Sequence, residues 1–446
     1  MTERGQTDGS RAAAPARIVR YGAALMLSGS LAACKGDLVI VRGPRIEVSW
    51  PDRDAVWVRT LGAPLGLQCT AVGVAGPPPP VAARTSTGVA SGSECGALTV
   101  VRSGLDTLVL RAAGVERRVP IAVALPPQLT SDLADRLTID GLPPDTVAWW
   151  APSARLNSQG AVELYAAAYR MSYPDTTPRG YLYRLVQASA GDPLHFRFDG
   201  IVLEPDANRC SLMGSGIENV AIAPRAEGGG FRMLLAAGSS ECYGWQVFSA
   251  VSPDERSWSL ERGIRVANGP VPPDSIGALP DSSPWPVGEG MVVGRALSTG
   301  EWQMIVGGTV PQSGRDASDF AIVEWRSPDQ LIWHYHSAVF TLADLRRPLG
   351  RSLYSPTVRE FAPGLYRMVF AEDGSYDLAT GTRLYTALSA DNPDGEHWQF
   401  EGTLLDTPPI RVFYASLVGD RLYTLSAPHG AADTEYYLSA FTLRMP

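Results

Sequence analysis

Short runs of alternating or unbroken apolar residues, each closed by Gly, Pro, Asn or Asp, fill the chain from residue 37 to its end. A period of two marks a strand with one buried face, and no run has the spacing of a convincing amphipathic helix. In the first part the runs are Asp37–Val41, Arg45–Trp50, Ala55–Arg59, Leu65–Val74, Ala97–Val101, Thr107–Ala112 and Arg117–Ala124. About seven short strands over roughly 90 residues predict a small β-sandwich. The run Gly76 to Pro80 is a loop, and Pro126-Pro127 opens a linker in which residues 128–136 read as one short helical turn.

From about 137 onward the pattern repeats. Pro-Asp-x-x-x-Trp occurs at Pro253–Trp258, Pro328–Trp333 and Pro393–Trp398, with a weaker copy at Asp192 and Phe196. The aromatics are 62, 75 and 65 residues apart, and a strand precedes and follows each copy. A Pro-Asp turn whose carboxylate accepts from the turn's own amides, with an aromatic packed beneath, predicts a hairpin between the last two strands of a unit. Upstream, a Gly turn leads into an apolar strand at Gly160, Gly230, Gly300, Gly364 and Gly419, and another strand precedes each turn. Five units of four strands, about 64 residues each, predict a five-bladed β-propeller, with six blades as the alternative. The fifth unit ends one strand short, and Arg136–Asp140 is expected to supply the missing strand, closing the ring and removing a free edge. The chain is therefore read as all-β, with a sandwich over 35–125, a linker over 126–136 and a propeller over 137–446.

The N-terminus changes the picture. Arg17 and Arg20 precede an apolar run, Tyr21 to Ala33, which is too short to span a membrane. Residues 1–34 read as an export signal ending Leu31-Ala32-Ala33-Cys34. In an exported chain, the four remaining cysteines imply two disulfides. Three pairings exist; Cys69–Cys95 with Cys210–Cys242 keeps each bond inside one domain. The cysteine spacing matches no zinc pattern. His334 and His336 alternate on one strand, which places both on one exposed sheet face. A net charge of −8 argues against phosphate-driven nucleic-acid binding. Lys35 is the chain's one lysine, so the folded body has no lysine for catalysis.

Several of these features resemble known families. Leu31–Cys34 resembles a bacterial lipobox, which implies acylation of Cys34 and, with Lys35 next, outer-membrane sorting. Residues 35–125 resemble the immunoglobulin-like modules of exported bacterial proteins. Ser252–Trp258 and Ser327–Trp333, both Ser-Pro-Asp-x-x-x-Trp, resemble the repeated turn of five-bladed glycoside hydrolases, the arabinanase, xylosidase and invertase relatives. Sialidase turns are similar, but their Asp lies one residue further from the Trp. The resemblance implies carboxylates on the inner strands of three successive blades: one acid, one base and a third that tunes the acid. Ala151, before Pro152, stands where the base is expected, and Asp145 is its nearest substitute. Glu218 matches the tuning position and Glu289, between Gly288 and Gly290, the general acid. Trp149, Trp150, Asn219, Tyr354 and Tyr414 are the ligand-binding candidates. The expected partner is carbohydrate or a cell-surface glycan, and the membrane contact is through the lipid anchor alone. No cofactor is expected beyond a Ca²⁺ that such propellers can hold on their axis. Three functions stay open: a carbohydrate-binding lipoprotein, an active glycosidase using Glu289, and a protein-binding envelope scaffold.

Overall fold

The computed structural model describes residues 43–49, 56–157, 159–171, 179–207, 213–214, 216–239, 244–268, 282–283, 287–295, 299–310, 320–345, 348, 352–373, 382–390, 398–406, 410–428, 431 and 435–444. The chain divides into a short unit, Met1–Gly43, and a compact one, Pro44–Pro446. Of the first, Gly43 alone is described. The described residues are all-β apart from two single 3-10 turns.

The first module of the compact unit spans residues 44–125. Arg45–Ser49 pairs with Gln68–Val72, and a second sheet orders Trp57–Val58, Val115–Ala124, Gly104–Ala112 and Ala82–Thr85. Two strands that the sequence pattern does not predict are present, Ala82–Thr85 and Ala90–Ser91. Both lie in Ala-, Thr- and Ser-rich stretches that show little apolar alternation. The module has its own core around Leu65, Leu98, Leu108, Leu110 and Val123. The expected Cys69–Cys95 disulfide joins the Gln68–Val72 strand to the 3-10 turn at Cys95. Cys210 and Cys242 lie outside the described residues.

The remaining strands form a propeller, and apart from the short parallel pair Ala267–Asn268 and Ser282–Ser283 those described from Thr146 onward fall into five antiparallel units. Unit one is Thr146–Leu156, Val162–Arg170, Arg179–Ser189 and Asp192–Leu203. Unit two is Gly216–Pro224, Phe231–Ser239, Gly244–Ser252 and Ser259–Leu260. Unit three is Val287–Arg295, Trp302–Thr309, Phe320–Ser327 and His334–Phe340. Unit four is Ser352–Ala362, Leu365–Asp373, Thr382–Ala390 and Gln399–Asp406. Unit five is Ile410–Val418, Arg421–Pro428 and Tyr437–Arg444.

The outer strand of unit five comes from the start of the ring. Gln128–Leu129 and Asp135–Arg136 both pair antiparallel with Tyr437–Arg444, while Thr138–Asp140 runs parallel to the outer strand of unit one. The stretch expected as a helical turn, 128–136, is therefore corrected: Gln128–Leu129 and Asp135–Arg136 are strands, and 130–134 between them are bends and irregular backbone. Its backbone groups bond to a partner some 300 residues away, a pull that local sequence does not show. The chain's last described strand is thereby paired on both edges.

The Pro-Asp turns are built as the motif predicts. Asp329 Oδ1 accepts from the amides of Leu331 and Ile332 at 2.8 and 3.0 Å, and Trp333 Nε1 donates to the Gln330 carbonyl at 3.1 Å. Asp254 and Trp258 repeat these bonds with Arg256, Ser257 and Glu255. The residue after each Asp, Glu255 or Gln330, has φ of 62° or 66° and reaches the preceding unit. The Glu255 carbonyl accepts from the Tyr165 hydroxyl at 3.0 Å, and Gln330 bonds to the Pro224 carbonyl and the Ala226 amide. The weak copy behaves alike: the Pro193 carbonyl accepts from Tyr423 of unit five at 3.2 Å, with Phe196 edge-on to that ring. The turns are thus latches between neighbouring units. The Pro393-Asp394 turn lies outside the described residues.

Asp329 is held below the usual carboxylate range. Burial works against its charge, but the Leu331 and Ile332 amides and the Ser327 hydroxyl outweigh it. A depressed carboxyl contributes stability that is present above about pH 4 and lost as pH falls through the folded value. Asp329→Asn is therefore expected to lower the unfolding temperature near pH 7 and to narrow the gap to the parent protein below pH 4. A gap that stays constant with pH would refute that origin.

Candidate functional site

Each inner strand carries an irregularity at the same height. Two residues oppose one at Ala151–Pro152, Glu218–Asn219, Ser355–Pro356 and Tyr414–Ala415, and the register also slips at Gly290. Four of the five leading positions have positive φ: Ala151 at 30°, Gly290 at 76°, Ser355 at 54° and Tyr414 at 47°. Only Gly290 adopts this conformation without a side-chain penalty. Such bulges bend a strand and let backbones approach closely. The approach is tight here, because a Cβ on Gly290 would lie 2.3 Å from the Ser355 Cα. Strained positions of this kind concentrate where a ligand is bound.

An aromatic cluster adjoins the ring of bulges. Trp149 and Trp150 diverge, as consecutive strand residues must. Trp149 meets Tyr183 edge-on within unit one. Trp150 crosses to unit five, where its Nε1 donates to the Tyr414 hydroxyl at 2.9 Å and its ring stacks on Tyr436 at 5.4 Å. Tyr354 of unit four lies edge-on to Tyr414, with centroids 6.0 Å apart. The structure thus brings Trp150, Tyr354 and Tyr414 together and leaves Trp149 in a separate contact. Tyr436, which the sequence pattern did not single out, belongs with them. It follows the last loop rather than an inner strand, so no repeat position marks it.

Of the carboxylate candidates, Asp145 is set apart from the ring of bulges. Glu218 and Asn219 are both buried at the bulge of unit two. Asp145 lies in the turn before the inner strand of unit one, short of the bulge, and pairs with Arg170 at 2.8 Å. Glu289 sits on the inner strand of unit three, its backbone opposite Gly307. Its side chain lies outside the described residues, as does Cys34. Ala151 is fully buried at the bulge position.

Beyond the bulges the axis holds a cavity of about 140 Å³, lined by a stretch of every inner strand from Pro152, Asn219, Gly290, Ser355 and Tyr414 onward. The bulge residues are buried, whereas Arg155, Ile222, Val293 and Val358 at the far end are half-buried. Among the described residues that line this cavity there is no carboxylate, and Arg155 is the one charged side chain, paired with Glu255 of the unit-two latch. The inner strands of units one and five are tied there by Ala154 and Ser416, and those of four and five by Thr357 and the Leu417 amide. His334 and His336 both lie on the exposed face of their strand. Among the described residues no group of three or more His, Cys, Asp or Glu is placed to hold a metal.

Arg232 and Arg367 are taken up in packing, as their repeated position suggests. Arg232 makes a two-pronged pair with Glu261 and reaches the Gln330 latch of unit three at 3.0 Å. Arg367 makes the same pair with Glu401.

No protein-family model and no curated protein matches the chain. Solved structures do. One described as a glycoside hydrolase aligns at 12% identity over 72% of this chain and 92% of its own, with a TM-score of 0.50. A glycosyl hydrolase from Bacteroides ovatus aligns at 14% identity over 66% of this chain and 84% of its own, with a TM-score of 0.45. A Bombyx mori GH32 β-fructofuranosidase aligns at 12% identity over 70% of this chain and 61% of its own, with a TM-score of 0.46. Such identities speak for the fold alone. The chain has a propeller of the kind found in glycoside hydrolases.

Proposed function

We propose that the protein is a cell-envelope lipoprotein whose propeller recognises carbohydrate without cleaving it. The observation that carries this reading is the ring of bulges. Ala151 holds the position that the resembled hydrolases give to a base, and among the five leading bulge residues Glu218 is the one carboxylate. Hydrolysis of a glycosidic bond requires an acid and a second carboxylate to activate water or attack carbon. Alanine does neither, and Asp145 is engaged by Arg170. Trp150, half-buried, offers the apolar face on which a sugar ring stacks, and Tyr354 and Tyr414 are buried beside it and hold it in place. Asn219, which lines the axial cavity, and Glu218 next to it offer groups that bond to hydroxyls. The reading needs no cofactor. The resemblance of Leu31–Cys34 to a lipobox supports anchoring in the envelope, at the outer membrane.

The test is a polysaccharide panel scored for both binding and sugar release. Binding by the parent protein, weakened at least about tenfold in Trp150→Ala and Glu218→Gln, is the expected result, a loss of about 1.4 kcal/mol. Release of sugar that disappears in Glu289→Gln would replace this reading with an active glycosidase. Neither binding nor release by the folded protein would favour a protein-binding scaffold.

A further inference from the structure

We infer that the N-terminal module is a clasp that completes the ring, and that unit five is held shut by it. Units two and three each present a Pro-Asp latch to the unit before them, and unit one presents Pro193 to unit five. Unit five has no such hairpin, because its outer strand arrives from the other end of the chain. The face of unit four that would receive it is covered instead by the module.

The substitution is specific in its atoms. Arg232 of unit two and Arg367 of unit four are register equivalents: Arg232 lies opposite Val251, which faces Ser259, and Arg367 lies opposite Leu388, which faces Gln399. Arg232 donates to the Asp329 carbonyl of the next unit's latch at 3.2 Å. Arg367 donates to the Leu125 carbonyl, the end of the module, at 2.9 Å. Around that bond, Val56, Val58, Leu105, Ala122 and Ala124 of the module pack on Phe361, Ala362, Leu365 and Leu388 of unit four. Gln399 bonds to both the amide and the carbonyl of Val56, at 3.2 and 2.9 Å.

Leu125 is followed by two prolines and then directly by the closing strand at Gln128–Leu129. Proline fixes φ, so the tether has little freedom. A docked module therefore holds the closing strand beside Tyr437–Arg444 at high effective concentration. That strand pairs in two short pieces, extended by the Thr130 and Leu137 amides, which donate to the Thr442 and Leu438 carbonyls. Undocking the module is expected to free it.

The whole chain carrying Val58→Asp is the first probe, since Val58 faces unit four and is not part of the module's own core. Gln399→Ala, which removes both Val56 bonds, is the second. Amide hydrogen exchange is read in every unit. The expected result in either variant is exchange at least about tenfold faster along Tyr437–Arg444 and Arg421–Pro428, with units one to three unchanged. Faster exchange confined to the module, with unit five as protected as in the parent, would overturn the inference.

Discussion

Gly290→Ala is expected to be among the most damaging single methyl additions in the ring. The position has φ of +76°, where a Cβ meets its own backbone at a cost of roughly 1–2 kcal/mol. The greater cost is steric. The new Cβ would lie 2.3 Å from the Cα, 3.0 Å from the Cβ and 3.1 Å from the amide nitrogen of Ser355. Two of those three are backbone atoms of the next inner strand, which no rotamer change can move aside. Ser355 is itself left-handed at 54°, and Thr357 two residues on accepts the Leu417 amide, so unit four has little room to retreat. A combined loss of more than about 4 kcal/mol is a large share of the roughly 5–15 kcal/mol that a folded protein has. Gly160→Ala separates backbone strain from collision. Gly160 has φ of +77° with nothing within 4 Å of a Cβ, so that variant reports backbone strain alone. Gly290→Ala should unfold at least about 4 °C below Gly160→Ala, at roughly 2–4 °C per kcal/mol for a large domain. Equal unfolding temperatures in the two variants would mean that the inner strands are not locked at the axis.

What the sequence revealed, and what it hid, follows from the range of each interaction. The latches were legible because their chemistry is local: Asp329 bonds two and three residues ahead of itself, and Trp333 bonds three residues back. Even the weak copy at Phe196 was found, since the aromatic keeps its place although the Trp is replaced. Most described strands of the propeller were legible from their alternation, whereas Ala82–Thr85 and Ala90–Ser91 of the first module were not, and the run Asp37–Val41 lies outside the described residues. The bulges were not. Ala151, Ser355 and Tyr414 adopt positive φ without the glycine that would announce it, and only Gly290 carries the expected signature. The candidate site was half visible. Trp150 and Tyr414 could be placed near the ends of inner strands, but the bond between them spans 264 residues and depends on how the ring closes. The helical turn expected at 128–136 fails for the same reason, because the strand character of Gln128–Leu129 and Asp135–Arg136 comes from Tyr437–Arg444.

Buried charge is where strand alternation misleads most, and Glu401→Ala is the sharpest test of it. Glu401 lies on the outer strand of unit four, where polar residues at alternate positions suggest a solvated face. Yet its side chain is 1% exposed and that of Arg367 2% exposed. Both are covered because the N-terminal module packs on this face, with Phe361 beneath the guanidinium at 4.1 Å. The two carboxylate oxygens accept from Nε and Nη2 at 2.8 Å each. A buried pair of this geometry adds little against an apolar replacement, but removing one partner strands the other in a poorly solvated site. Glu401→Ala would leave the guanidinium with the Leu125 carbonyl among its remaining described acceptors, at an expected loss of about 3–5 kcal/mol. Arg367→Met with Glu401→Leu keeps volume and removes both charges, so it should recover most of that stability. Denaturant unfolding of the parent, the single variant and the double variant decides the matter. A double variant as unstable as Glu401→Ala would show that the Arg367 bond to Leu125 contributes more than the pair itself, and would assign the lost stability to the clasp.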